Sequence, residues 1–242
     1  MVRNYDENVY SSRSFGTLIT QVERDFLRRV LERFPKPSQI NYLDFACGSG
    51  RVVTFMEDFV GHARGIDVAE PMLEIARQKA RKAELVCRDI TDPAAAVEDR
   101  YDLITSFRLF LNAEPGLRAA AMRAASARLK DESSRFVFNN HAILPSYKLL
   151  SWGATHARSL VTGKPPTMGT LTHRMVKKLV SDAGMEIEET FDYDVLSGKA
   201  LPLLGYDRQL RIERGLAGSA LARYIGGERL YVVRRRSGAV PS

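Results

Sequence analysis

Ile19, Val22, Phe26, Val30 and Phe34 recur at helical spacing in "TLITQVERDFLRRVLERF". That spacing puts an apolar stripe on one face of a helix, which Pro35 and Pro37 stop. "INYLDFA" predicts a short buried strand. "RVVTFMEDFV" reads as a helix and "ARGIDV" as a second strand. Pro71 opens the helix "PMLEIARQKARKA", at a position where its missing N–H costs nothing. "AELVCRD" and "YDLITSF" predict the third and fourth strands, "PGLRAAAMRAASARLK" an Ala-rich helix and "SRFVFNNH" a fifth strand. "LTHRMVKKLVSDAG" predicts a helix closed by Gly184. "MEIEETFDYDVL" and "RLYVVRRR" have the period-2 character of two last strands.

Strand and helix alternate from residue 40 to about 140. This predicts an α/β fold, a doubly wound and mostly parallel sheet with helices on both faces. Residues 1–242 read as one domain. Within it, 1–38 is an N-terminal helical segment, and two inserts, 142–170 and 197–228, interrupt the alternation. The first insert places Leu149, Trp152, His156 and Leu160 at near-helical spacing ahead of a Gly- and Pro-rich stretch. It reads as a lid over the site, with Trp152 on the substrate wall, or as a helix that Trp152 anchors to the core.

Hydrophobic residues make up 45% of the 242, enough for a substantial core. No apolar run reaches the length of a membrane span, and the first residues lack a signal-peptide core. The chain therefore reads as soluble and cytoplasmic. Its two cysteines, Cys47 and Cys87, suggest neither a disulfide framework nor a zinc site. The formal charge is +7, but its Lys and Arg are scattered and not interleaved with aromatics. That pattern argues for solvated helix faces, against nucleic acid as a partner, and leaves an anionic small substrate compatible.

The chemistry concentrates where the first strand ends. Asp44 precedes a loop with Gly48 and Gly50, which permit tight turning and close approach of a ligand to the backbone. A nicotinamide-type loop reads GxGxxG or GxGxxA, and here Val53 fills the third small position. Asp44 would repel a pyrophosphate but suits a ligand carrying an ammonium group. Asp67 ends the second strand, where an acid accepts from ribose hydroxyls. Asp89 follows the third strand, where it can accept from an adenine amino group or begin a turn with Thr91. Met72 and Ile90 are placed to sandwich a base.

Taken together, "LDFACGSG", "GIDVAEPMLEIAR", "CRDI" and "YDLITSF" resemble the class I S-adenosylmethionine-dependent methyltransferases, and "LTHRMVKKLVSDAGMEI" resembles their late helix and sixth strand. The resemblance covers about residues 40–195 plus the last strand. It implies a Rossmann-like seven-stranded sheet with an antiparallel last strand, and S-adenosyl-L-methionine as cofactor. It implies that Asp44, Ala46, Gly48 and Gly50 surround the methionine end of the cofactor. Asp67, Val68, Met72, Asp89, Ile90 and Ser106 then hold its nucleoside. Arg51 stands where many members have a third glycine. Tyr5, Tyr10 and Arg13 lie in the stretch that often folds over the cofactor in this family. Arg13 reads equally as a ligand for the cofactor carboxylate and as a surface charge.

The acceptor is less legible. "SFRLFLN" after the fourth strand lacks the Pro-Pro motif of base-amine methyltransferases, and no metal constellation is evident. A small-molecule acceptor methylated on oxygen or nitrogen follows, a sugar or a biosynthetic intermediate being the kind in view. In "FNNHAI", His141 reads as a general base or as a strand cap, and Asn140 as a substrate contact. Arg108 reads as an anion-binding group or as a bond to its own loop. The alternatives are an NAD-dependent oxidoreductase, disfavoured by Asp44 and Val53, and a non-catalytic cofactor-binding or RNA-associated module.

Overall fold

The computed structural model describes residues 13–92, 99–142 and 171–236, with positions 153, 157, 158 and 163 between the last two stretches. Tyr5, Tyr10, Trp152 and nearly all of the 142–170 insert lie outside the described residues.

Seven strands form one sheet: β1 (Asn41–Phe45), β2 (His62–Asp67), β3 (Glu84–Cys87), β4 (Leu103–Ser106), β5 (Arg135–His141), β6 (Met185–Tyr193) and β7 (Glu228–Arg235). Their order is β3-β2-β1-β4-β5-β7-β6. The pairs from β3 to β5 are parallel, and β7 runs antiparallel to both its neighbours. The order reverses between β1 and β4, so a crevice opens above their carboxyl ends, where open α/β sheets take ligands.

The described helices are α1 (Phe15–Leu31), α2 (Val53–Met56), α3 (Glu70–Lys79), α4 (Leu109–Asn112), α5 (Pro115–Arg128), α6 (His173–Asp182), α7 (Leu201–Leu204), α8 (Tyr206–Leu216) and α9 (Ala220–Ile225). The last three fold the 197–228 insert. Ser14 caps α1 by accepting from the Thr17 N–H at 3.1 Å. The apolar stripe of α1, with Val22, Phe26 and Val30 almost wholly buried, packs with α2 and Leu73 of α3 on one sheet face. The opposite face buries Phe110 of α4, Met122 of α5 and Val176 of α6 against Phe136 and Phe138.

The helix expected over "RVVTFMEDFV" is only the four residues of α2. It ends at Glu57, which is 2% exposed. The Glu57 carboxylate accepts the backbone N–H groups of Lys82 and Ala83, each at 2.8 Å. Those three-dimensional partners fasten Glu57 to the loop before β3, a constraint that periodicity does not register. Among the described residues, no helix is long and apolar enough to cross a membrane.

Candidate active site

Period-2 alternation decides which side chains meet above the sheet. Tyr42 of β1 and Leu103 of β4 face α1, so Asp44 and Thr105, two positions on, face it as well. Asp44 is 1% exposed. Its carboxylate accepts the Thr105 hydroxyl at 2.7 Å and the Val53 N–H at 3.0 Å. Burial pushes the Asp44 carboxyl up to about 7, against the opposing pull of Thr105, Arg51 and the Val53 N–H. An acid poised there ionises readily when a cation arrives, and desolvation strengthens the resulting attraction.

The loop after β1 bends through three left-handed residues, Ala46, Gly48 and Gly50 (φ 58°, 54° and 79°). Asp67 at the end of β2 clamps it: one carboxylate oxygen accepts the Gly48 N–H at 2.7 Å, the other the Ala69 N–H at 2.9 Å. Above the loop lies a cavity of about 250 Å³. Its wall includes Asp44, Ala46, Gly48, Arg51, Met72 and Phe107 and ends at Arg108 and Leu109. Asp44, Arg51 and Arg108 are the charged residues of that wall. One carboxylate and two guanidiniums across a small cavity match a zwitterion, such as an amino-acid tail. The glycine loop leaves backbone room for what is attached to it.

Farther along the same face, Asn139 and His141 of β5 lie beside β7. His141 is paired in register with Glu228. The His141 Nδ1 is 2.9 Å from Glu228 Oε1, and Glu228 is 3% exposed. With Nδ1–H donated to that carboxylate, Nε2 is left with the lone pair, the arrangement of a general base. Arg108 reaches Glu228 Oε1 at 3.4 Å and Glu23 Oε1 of α1 at 3.4 Å. Glu23, 1% exposed, also accepts from Arg51 at 2.5 Å and from the Tyr193 hydroxyl at 2.9 Å. A buried polar layer thus joins α1, the glycine loop, β5, β6 and β7.

The structure brings Asp44, Ala46, Gly48, Met72 and Arg108 to the cavity wall. Gly50 lies beneath it, pressed against α3. Asp67 touches the site through Gly48. Val68 is 67% exposed and is not part of the cavity wall. Asp89 is exposed and accepts the Thr91 N–H and hydroxyl at 2.8 and 2.6 Å, which is the turn-forming arrangement. Ile90 is 3% exposed and belongs to the core on the face opposite α1, so it does not pair with Met72 across the cavity. Ser106 and Asn140 point to that same opposite face, because each is one residue out of step with Thr105 and His141. Ser106 is fully buried, and Asn140 donates to the Leu171 carbonyl at 2.6 Å. Arg13 is bound to Asp207 at 2.5 Å on the surface, with its side chain 64% exposed, and is not part of the cavity wall.

Glu23, Tyr193 and Glu228 did not stand out in the sequence. A signal existed for Glu23. It falls four residues after Ile19 and three before Phe26, inside the apolar stripe, where a charge needs a buried partner.

Residues 43–132 match a family described as "Methyltransferase domain". No curated protein matches the sequence. Solved structures with the same fold include magnesium protoporphyrin IX methyltransferase from Synechocystis PCC 6803 with bound SAH. It is 14% identical, with 91% of this chain and 85% of that one covered and a TM-score of 0.63. A SAM-dependent methyltransferase from Archaeoglobus fulgidus is 14% identical over 96% of this chain and 98% of that one, with a TM-score of 0.60. Mitomycin 7-O-methyltransferase is 13% identical over 91% of this chain and 55% of that one, with a TM-score of 0.58. The glycine loop and the strands that follow it thus match the methyltransferase-domain family, and the sheet around them has the fold of solved S-adenosylmethionine-dependent methyltransferases.

Proposed function

We propose that the protein transfers a methyl group from S-adenosylmethionine to an oxygen or nitrogen of a small-molecule acceptor, with His141 as general base. The observation that carries this reading is the His141–Glu228 pair at the end of β5, on the Asp44 side of the sheet and linked to the cavity wall through Arg108. The cofactor, when bound, supplies an activated methyl group on a sulfonium with its leaving group attached. The chain's own work is alignment of the acceptor and removal of its proton.

In this reading Asp44 binds the ammonium of the cofactor tail, while Arg51 and Arg108 attract its carboxylate. The backbone of the glycine loop lies against the rest of the tail. Asp67 accepts from the ribose hydroxyls with lone pairs its two backbone bonds do not use. His141 Nε2 takes the acceptor proton, and Glu228 stabilises the imidazolium that forms. The relatives methylate unlike molecules, a magnesium porphyrin and a mitomycin by name. Those names therefore leave open which acceptor this chain takes, a sugar or another biosynthetic intermediate.

His141→Ala is expected to lower kcat by about 10²–10³-fold, the usual worth of a positioned base. S-adenosylhomocysteine affinity should remain at the wild-type value. Methyl-donor turnover against a metabolite panel, followed by kinetics on the accepted compound, measures this. Near-wild-type turnover across the pH range would remove His141 from the chemistry.

A further inference from the structure

Arg108 sits in a conformation that its side chain does not favour. Its φ is 69° and ψ −2°, in the left-handed region, at the start of α4. Two side chains hold it there. Its N–H donates to Asn139 Oδ1 at 2.7 Å, and its carbonyl accepts from Asn112 Nδ2 at 2.9 Å. Asn139 is fully buried, so the strained backbone is over-determined by the core of β5. Strain kept in this way at a cavity wall points to a role for the side chain it aims.

That side chain is the middle of an unbroken run of polar contacts, four charged groups of alternating sign that end on His141. From the glycine loop to the end of β5 the run reads Arg51, Glu23, Arg108, Glu228, His141. The two outer contacts are 2.5 and 2.9 Å, and the two that Arg108 makes are both 3.4 Å. Arg108 is thus the loosest link. It is also the member of the run that lines the cavity and touches the carboxylate holding His141. A negative group entering the cavity competes with Glu23 and Glu228 for the same guanidinium. As Arg108 turns toward it, Glu228 is left with a stronger hold on His141.

We propose that Arg108 is a positioning residue that couples occupancy of the cofactor cavity to the hydrogen bond and tautomer of His141. The proposal rests on the reading of His141 as the base. It adds that the base is set when the tail of the cofactor is in place. The charged groups near the His141–Glu228 pair include Arg108 from the β4 loop and Glu23 from α1, with the Tyr193 hydroxyl of β6 beside them.

The test follows the imidazole nitrogens of His141 by ¹⁵N NMR during titration with S-adenosylhomocysteine and, separately, with 5′-methylthioadenosine, which lacks the amino-acid tail. Calorimetry reports binding in parallel. In the wild type, S-adenosylhomocysteine should shift both nitrogens and methylthioadenosine should shift them less. Arg108→Asn keeps a residue that tolerates the left-handed backbone. It should bind S-adenosylhomocysteine more weakly, through Asp44 and Arg51, and at saturating ligand should lose the His141 response. If that variant does not fold, Glu23→Gln breaks the run on its other side and should give the same loss. A full His141 response in either variant overturns the proposal, as does a wild type that binds S-adenosylhomocysteine with the His141 nitrogens unmoved. The base reading fails separately, through unchanged turnover in His141→Ala.

Discussion

Gly50→Val is expected to abolish S-adenosylhomocysteine binding and to lower the melting temperature by roughly 10 °C. A side chain at Gly50 would place its Cβ 2.8 Å from Ala76 Cβ and 3.2 Å from Ala76 Cα, with Thr54 Cγ2 at 3.3 Å. Ala76 is part of α3 and fully buried, so relief requires moving a helix and not a rotamer. The φ of 79° adds strain that a β-branched residue cannot relax. Left-handed strain costs about 1–2 kcal/mol and overpacking about 1–3 kcal/mol. Pushing α3 outward also carries Met72 away from the cavity wall. Gly48 is more forgiving on these grounds: its nearest neighbour would be the flexible end of Met72 at 3.5 Å. Calorimetry and a thermal melt check the expectation. A Gly50→Val protein with wild-type affinity and melting temperature would mean that the loop does not cradle the cofactor.

S-adenosylhomocysteine is expected to bind the wild type roughly tenfold more tightly at pH 8 than at pH 6, with proton release on binding near neutral pH. The cause is Asp44, whose carboxyl titrates at about 7 in the free protein because burial opposes its charge. Binding of an ammonium requires the ionised form, so affinity falls as pH drops through that value. Stability of the free protein has the opposite sign. Asp44 has a folded-state pKa raised above its ordinary 3.8, so its contribution is fully present below that value and lost as pH rises through about 7. Glu213, buried under the end of β6 and raised to about 7 from 4.5, contributes in the same direction. Acid therefore favours the free protein through these two groups, and base favours the complex. Asp44→Asn should flatten the pH dependence of binding while retaining the Thr105 contact. A wild-type affinity that does not change between pH 6 and 8 would show that Asp44 does not face the ammonium.

The sheet was legible because its evidence is local. Apolar runs, turn residues and the glycine loop each occupy a few consecutive positions, and chain alternation then predicts parallel order. Asp44 and Asp67 were legible for the same reason, since the end of a strand can be located from its own residues. The face on which a residue falls was harder. Ser106 and Asn140 lie at the right strand ends but one step out of phase, and Ile90 closes a core where an open surface was expected. The His141 partner was invisible. Glu228 opens a strand 87 positions away in sequence, and only the insertion of β7 beside β5 puts the two in register. Arg51 reads as a substituted glycine until α1 supplies Glu23. Ion pairs of this kind leave no periodicity, because each partner is a single charged residue among many.

The place of β7 in the sheet has a consequence for the order in which the protein assembles. The part that shapes the glycine loop, β1 through β4 with α2 and α3, pairs strands that follow closely in the chain. The part that presents His141 must wait for a strand that is the last of the seven to be made and that enters between two strands made earlier. Loop closure over such distances is slow compared with local pairing. Arg108 meanwhile needs a carboxylate from α1, the first described helix, and one from β7. By sequence separation alone, the strands around the glycine loop are expected to pair before β7 enters beside β5 and brings Glu228 to His141.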